Sequence, residues 1–160
     1  MTNIRVGMGY DVHQLDENNT FLLGGVHIDY KKGIVAHSDG DIVFHALADA
    51  LLGAAGLGDI GHFFPDTDMK YKNLDSSLII ASVLEKLKQL SYDIVNIDIT
   101  VVLEKPKLQP YLYDIKTSIS NYLKISSNNI NIKATTSEGM GFVGKGHGIA
   151  CYSVVLIEKV

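Results

Sequence analysis

Apolar and polar positions alternate at the start of the chain, with Ile4, Val6, Met8 and Tyr10 interleaved with Arg5, Gly7, Gly9 and Asp11. A period of two marks a strand. A second apolar run, Phe21 to Ile28, is interrupted by Gly24-Gly25. Ser38 or Asp39, both good N-caps, can open a helix running to about Ala54. It is apolar nearly all round, which predicts burial. Gly53, Gly56, Gly58 and Gly61 then punctuate a loop ending in Phe63-Phe64-Pro65-Asp66. Asp75 or Ser76 caps a further helix with Ile80, Leu84 and Leu87 on one stripe. Ile97, Ile99, Val101 and Leu103 alternate as a strand, and Pro110 suits the first turn of a helix whose face is Leu112, Ile115, Ile119 and Tyr122. Ile130, Ile132 and Ala134 predict another strand, Gly139 to Gly148 a Gly-rich loop, and Ala150 to Ile157 a closing strand. No linker, repeat or low-complexity tract interrupts this series. The expectation is a single α/β domain over 1–160, an α+β sandwich whose one mixed β-sheet is covered on one face by helices.

Composition narrows the classes of function. A chain of 160 residues that is 46% hydrophobic can build a real core. No apolar run approaches the roughly 20 residues of a membrane span. Met1 leads directly into the first strand, so neither a signal nor a transit peptide is expected. Cys151 is the sole cysteine, which excludes an internal disulfide and fits a reducing compartment, the cytoplasm. A net charge of −4 argues against a nucleic-acid footprint. Arg5 is the one arginine, so a bound anion must be held by Lys, backbone N–H, hydroxyls or metal. The acids and imidazoles are unevenly spread: 10 of the 13 Asp and 5 of the 6 His fall between Asp11 and Asp75. That points to a site rich in oxygen and imidazole ligands in the first half.

Alternation puts Asp11 and His13 on one side of the first strand, and His45 lies on the first long helix. Two imidazoles and a carboxylate with a fourth position open make a catalytic zinc set; equally, His13 can be a loop residue and His45 a core histidine. Asp41 and Asp49 stand four residues either side of His45, where one can orient the ring. The segment Ala36-His37-Ser38-Asp39-Gly40-Asp41 precedes the helix, and a helix N-terminus suits phosphate, with His37 and Ser38 as further donors; simple capping accounts for it as well. Gly139 to Gly144 matches G-x-G-x-x-G, but no long helix follows and no βαβ unit fits so near the end, which rules out a dinucleotide site. Thr135-Thr136-Ser137-Glu138 offers three hydroxyls and a carboxylate, suited to phosphate and a hard cation or to a plain polar strand end. Lys107, after Pro106, is a point charge for phosphate or a solvated lysine.

Taken in order, G-Y-D-V-H from Gly9, A-H-S-D-G-D from Ala36, A-L-L-G-A-A from Ala50, L-G-D-I-G from Leu57, F-P-D-T-D from Phe64, N-I-K-A-T-T-S-E from Asn131 and G-K-G-H-G-I-A-C from Gly144 span the chain. The series resembles the 2-C-methyl-D-erythritol 2,4-cyclodiphosphate synthase family of the non-mevalonate isoprenoid pathway. The resemblance implies a homotrimer with active sites between subunits. Its substrate is 4-diphosphocytidyl-2-C-methyl-D-erythritol 2-phosphate, whose 2-phosphate attacks the β-phosphorus and expels CMP. No external nucleophile is needed, which leaves positioning and charge neutralisation to the enzyme and makes Cys151 an inert core residue. Carried over by position, Asp11, His13 and His45 bind Zn²⁺, and Glu138 binds Mg²⁺ or Mn²⁺ between the two phosphates. His37 and Thr136 assist the transition state, with Ser38 beside His37 on phosphate. Asp59, Ile60 and Gly61, with Phe64, Asp66 and Asp68, hold the methylerythritol part. Leu103, Pro106, Lys107, Leu108, Ala134 and Thr135 form the CMP side, and Phe142 and Lys145 complete the substrate positions.

The family often carries Ala where this chain has Leu103, and Arg and Glu where it has Lys145 and His147, which changes the cytosine pocket and any anion site on the trimer axis. Without the resemblance, the residues also fit a zinc-dependent phosphoester hydrolase using a metal-bound water, or a non-catalytic trimer that senses metal or nucleotide.

Overall fold

The computed structural model describes residues 3–65 and 67–160. Strand β1 (Ile4–Glu17) leads to a small hairpin, β2 (Leu22–Leu23) and β3 (Val26–His27), and then to β4 (Lys32–Val35). Helix α1 (Ile42–Ala55) and the single turn α2 (Ile60–Phe63) precede α3 (Ser76–Gln89). Strand β5 (Tyr92–Val102), helix α4 (Leu112–Leu123), strand β6 (Ile130–Thr135), the turn α5 (Gly141–Gly144) and strand β7 (Gly148–Lys159) complete the chain. The main sheet runs β4-β1-β7-β5-β6. Among the described residues, only β5 and β6 pair in parallel, so the sheet is mixed, as the sequence predicts.

The alternation in β1 holds, but its polarity is the reverse of the usual one. Ile4, Val6, Met8, Tyr10 and Val12 are exposed, and Gly7 and Gly9 are buried under α1. A Cβ on Gly7 would stand 2.0 Å from the Ala50 carbonyl oxygen, and one on Gly9 1.9 Å from that of Ala46. Here helix and strand backbones meet without an intervening side chain, and Ala46, Ala50 and Ala54 keep the helix side equally thin. Asp11 and His13 continue the glycine face, so they emerge on the same side of the sheet as α1.

Helix α1 is buried all round, as its composition predicts. Its start differs from the expected one: Asp41 is the N-cap, accepting the Phe44 N–H at 3.2 Å. The same carboxylate takes the Gly24 and Gly25 N–H groups at 2.8 and 2.6 Å, tying the β2–β3 turn to the helix. Ser38 and Asp39 are engaged elsewhere: Ser38 Oγ accepts the Gly40 N–H, and Asp39 bonds Ser76. Gly53 lies inside α1, and left-handed Gly56 (φ 76°) ends it. Asp75 caps α3. Among the described residues the G-x-G-x-x-G stretch forms only the turn α5, between strands β6 and β7 that are not neighbours in the sheet. Among the described residues, no helix is long and apolar enough to cross a membrane.

The α1–β1 contact leaves no room for a methyl group at Gly9. Gly9→Ala is expected to destabilise the fold by about 1–3 kcal/mol, the range for overpacking, and to lower metal affinity by moving His45 away from β1. Urea unfolding and zinc titration of the variant check both effects. Unchanged values would contradict the packing account.

Candidate metal centre and nucleotide cleft

Asp11 and His13 come from β1 and His45 from the first turn of α1. The Asp11 Oδ2 atom lies 2.9 Å from His13 Nε2 and 3.0 Å from His45 Nδ1. The two ring nitrogens are 3.3 Å apart. All three ligand atoms fall within 4.8 Å of one another. Two nitrogens bound at about 2.0–2.1 Å by one tetrahedral ion stand roughly 3.3 Å apart, so the donor set has the chemistry and spacing of a three-ligand metal site.

Burial works to raise the Asp11 pKa, but hydrogen bonds from His13 and His45, and their charge when protonated, outweigh it and hold it at about 2. For His45 burial works downward, and the hydrogen bond and charge of Asp11, with Asp41 and Asp39 nearby, raise its pKa above the ordinary value. Asp11 therefore favours its ionised form, and His45 its protonated form. Neither Asp41 nor Asp49 orients the ring. Asp41 caps α1, and Asp49, its pKa raised by burial, accepts the Ile60 N–H at 2.8 Å. The far nitrogen, His45 Nε2, instead meets Ser76 Oγ at 2.9 Å and Ser38 Oγ at 3.2 Å.

The triad opens into a cavity of about 170 Å³ lined by Asp11, His13, His37, Ser38, His45, Ile60, Gly61 and Phe64, with Tyr71 and Leu74. Asp59 caps α2 through the His62 N–H at 3.1 Å, which fixes Ile60 and Gly61 at the rim. Asp68 caps the turn Met69–Tyr71 and pairs with Lys70 at 3.0 Å. Asp66 lies outside the described residues.

A second cleft, of about 180 Å³, gathers Leu103, Pro106, Lys107, Leu108, Ala134, Thr135 and Thr136 where β5 and β6 end side by side. It shares no lining residue with the first. Beyond it, Thr136 Oγ1 donates to Glu138 Oε1 at 3.2 Å, and Glu138 holds a left-handed backbone (φ 55°). Glu104, which the sequence reading passed over, clamps this loop: its Oε1 accepts the Ser137 N–H at 2.9 Å and the Gly139 N–H at 3.4 Å. Phe142 and Lys145 join neither cleft. Phe142 lines an open groove with His13 and His147, and Lys145 one with Lys31, Lys32 and Lys105. Ser76 and Glu104 carried no motif signal, because each acts through a partner distant in sequence.

The fold and triad define an α/β protein with a candidate metal-binding group and a separate, mainly apolar cleft where β5 and β6 end. Residues 4–158 match the YgbB family model, and the chain belongs to that family. A curated relative from Clostridium novyi, 2-C-methyl-D-erythritol 2,4-cyclodiphosphate synthase, is 51% identical over 156 residues, covering 98% of this chain and 99% of its own. Plasmodium falciparum IspF, solved as a CDP complex, superposes with a TM-score of 0.87 at 34% identity, over 99% of this chain and 98% of its own. The bifunctional IspDF of Campylobacter jejuni superposes at 0.95 with 43% identity; all of this chain matches 43% of that longer one.

The signs of the two shifts give a pH window for the metal-free protein. Asp11, with its pKa lowered from 3.8 to about 2, contributes stability above pH 3.8 that is lost as pH falls toward 2. His45, with its pKa raised from 6.5, contributes stability that is full below pH 6.5 and lost as pH rises through the folded value. Chelator-treated protein should therefore melt at progressively lower temperature above pH 6.5, and His45→Gln should flatten that slope. Equal slopes in calorimetric scans would contradict the assignment.

Proposed function

We infer that the chain is a cyclodiphosphate synthase. It converts 4-diphosphocytidyl-2-C-methyl-D-erythritol 2-phosphate to 2-C-methyl-D-erythritol 2,4-cyclodiphosphate and CMP by metal-assisted intramolecular attack. A 2-phosphate oxygen bonds to the β-phosphorus, the α–β anhydride bond breaks, and its electron pair leaves with CMP. The convergence of Asp11, His13 and His45 in a chain of this family carries the reading.

Zn²⁺ is the ion we assign to the triad, where it would polarise the attacked phosphate when bound. Mg²⁺ or Mn²⁺ is assigned to Glu138, a hard oxygen ligand. The remaining work belongs to the chain. His37 and Ser38 donate to phosphate at the cavity rim. Asp59, Ile60, Gly61, Phe64, Asp66 and Asp68 hold the methylerythritol part. Leu103, Pro106, Leu108, Ala134 and Thr135 seat the cytidine, Lys107 balances phosphate charge, and Thr136 donates to the transition state. Phe142 and Lys145 are assigned as further substrate contacts.

We assign the working form as a homotrimer in a reducing compartment, the cytoplasm. Two observations support assembly. Ile4, Val6, Met8, Tyr10, Tyr152 and Val154 expose a continuous apolar sheet face, larger than isolated surface residues provide. The metal cavity and the nucleotide cleft share no lining residue within one chain, so a site between copies would combine them.

Phosphorus NMR of the substrate incubated with protein, Zn²⁺ and Mg²⁺ tests the chemistry. A cyclic diphosphate with CMP is expected; linear phosphates would indicate a hydrolase, and no turnover a sensor. Lys107→Ala should weaken CMP binding, by about 1–3 kcal/mol where the bound nucleotide desolvates the charged hydrogen bond, as read by calorimetry. Trimers assembled from mixed His45→Ala and Lys107→Ala chains should be more active, at limiting substrate, than the average of the two variants alone, because some mixed interfaces pair an intact metal cavity with an intact nucleotide cleft. Activity no higher than that average would place both halves of the site in one chain.

A further inference from the structure

The hydrogen bonds behind His45 decide where its proton sits. Asp39, in the loop before α1, can only accept as a carboxylate. Its Oδ2 takes the Ser76 N–H at 2.9 Å and its Oδ1 takes the Ser76 hydroxyl, so the single hydroxyl proton is used. Toward His45 Nε2, 2.9 Å away, Ser76 Oγ can then only accept. Nε2 must carry the ring proton, and in a neutral imidazole that leaves the lone pair on Nδ1. Nδ1 is the atom that faces Asp11 Oδ2 at 3.0 Å and His13 Nε2 at 3.3 Å. Ser76 is 0% exposed, so water has no access to replace either bond.

We propose that Asp39 and Ser76 form a relay that fixes the His45 imidazole with its proton on Nε2 and its lone pair on Nδ1, aimed at the metal position. Both are positioning residues that touch neither substrate nor metal. The relay has a consequence for Ser38. Its Oγ lies 3.2 Å from the same Nε2–H and accepts the Gly40 N–H at 3.2 Å, so its own hydroxyl proton stays available to a ligand in the cavity. The inference rests on the metal reading of the triad.

The test is zinc affinity by chelator competition for the wild type, Ser76→Ala, Asp39→Asn and the double variant, with urea unfolding of each metal-free protein as a control. Loss of a ligand's hydrogen-bond partner costs about 10–100-fold in metal affinity. Each single variant is expected to fall in that range. The double variant is expected to be no weaker than Ser76→Ala alone, because Asp39 acts through Ser76. Long-range proton–nitrogen NMR of the zinc-loaded wild type should show His45 with a protonated Nε2 and a metal-bound Nδ1. Unchanged affinity in Ser76→Ala, additive losses in the double variant, losses matched by equal loss of metal-free stability, or a metal-bound Nε2 would each overturn the relay. A wild type that binds no zinc would overturn the metal reading itself, and the relay with it.

Discussion

At Gly7 and Gly9 a single added carbon would lie within 2.0 Å of a carbonyl oxygen of α1. That clearance sets how closely the helix lies on β1, and the closeness lets a histidine on the helix reach a carboxylate and an imidazole on the strand. Because side chains in a strand alternate, the face that carries the glycines also carries Asp11 and His13. One packing constraint thereby brings three ligands from two elements to one point and leaves the apolar side chains of β1 facing outward.

Gathering these groups has an electrostatic cost that fixes how the site behaves. In partial burial the carboxylate is held ionised and the His45 imidazole favours its protonated form, as the lowered pKa of Asp11 and raised pKa of His45 indicate. A metal ion held at the triad would compete with that proton. The polar groups around the triad are themselves spoken for: Asp41 by three backbone N–H groups, Asp49 by Ile60, Ser76 by Asp39. Rigid support of this kind fixes the three side chains in place.

Much of this was legible in the sequence because it is local. Periodicity located β1, α1, α3, α4 and the last strands, and D-x-H with the helical His45 marked the triad. What escaped depends on contacts distant in the chain. Alternation in β1 reveals a strand but not which face is covered; that follows from the clash geometry at Gly7 and Gly9. Ser38, Asp39 and Asp41 are all capping residues by type; in the fold Asp39 bonds Ser76, 37 positions away, Ser38 accepts the Gly40 N–H, and Asp41 caps the helix. Strand β4 is short and irregular in pattern and passed unread. Glu104 shows no motif, and its grip on the Glu138 loop spans more than 30 residues.

The central claim is that α1 and β1 together build one metal site from Asp11, His13 and His45. Anomalous diffraction at the zinc edge, on crystals of the zinc-loaded protein, tests it most directly. One peak per chain is predicted, bonded to Asp11, His13 Nε2 and His45 Nδ1. A peak at other residues, or no peak at the triad, would contradict the account.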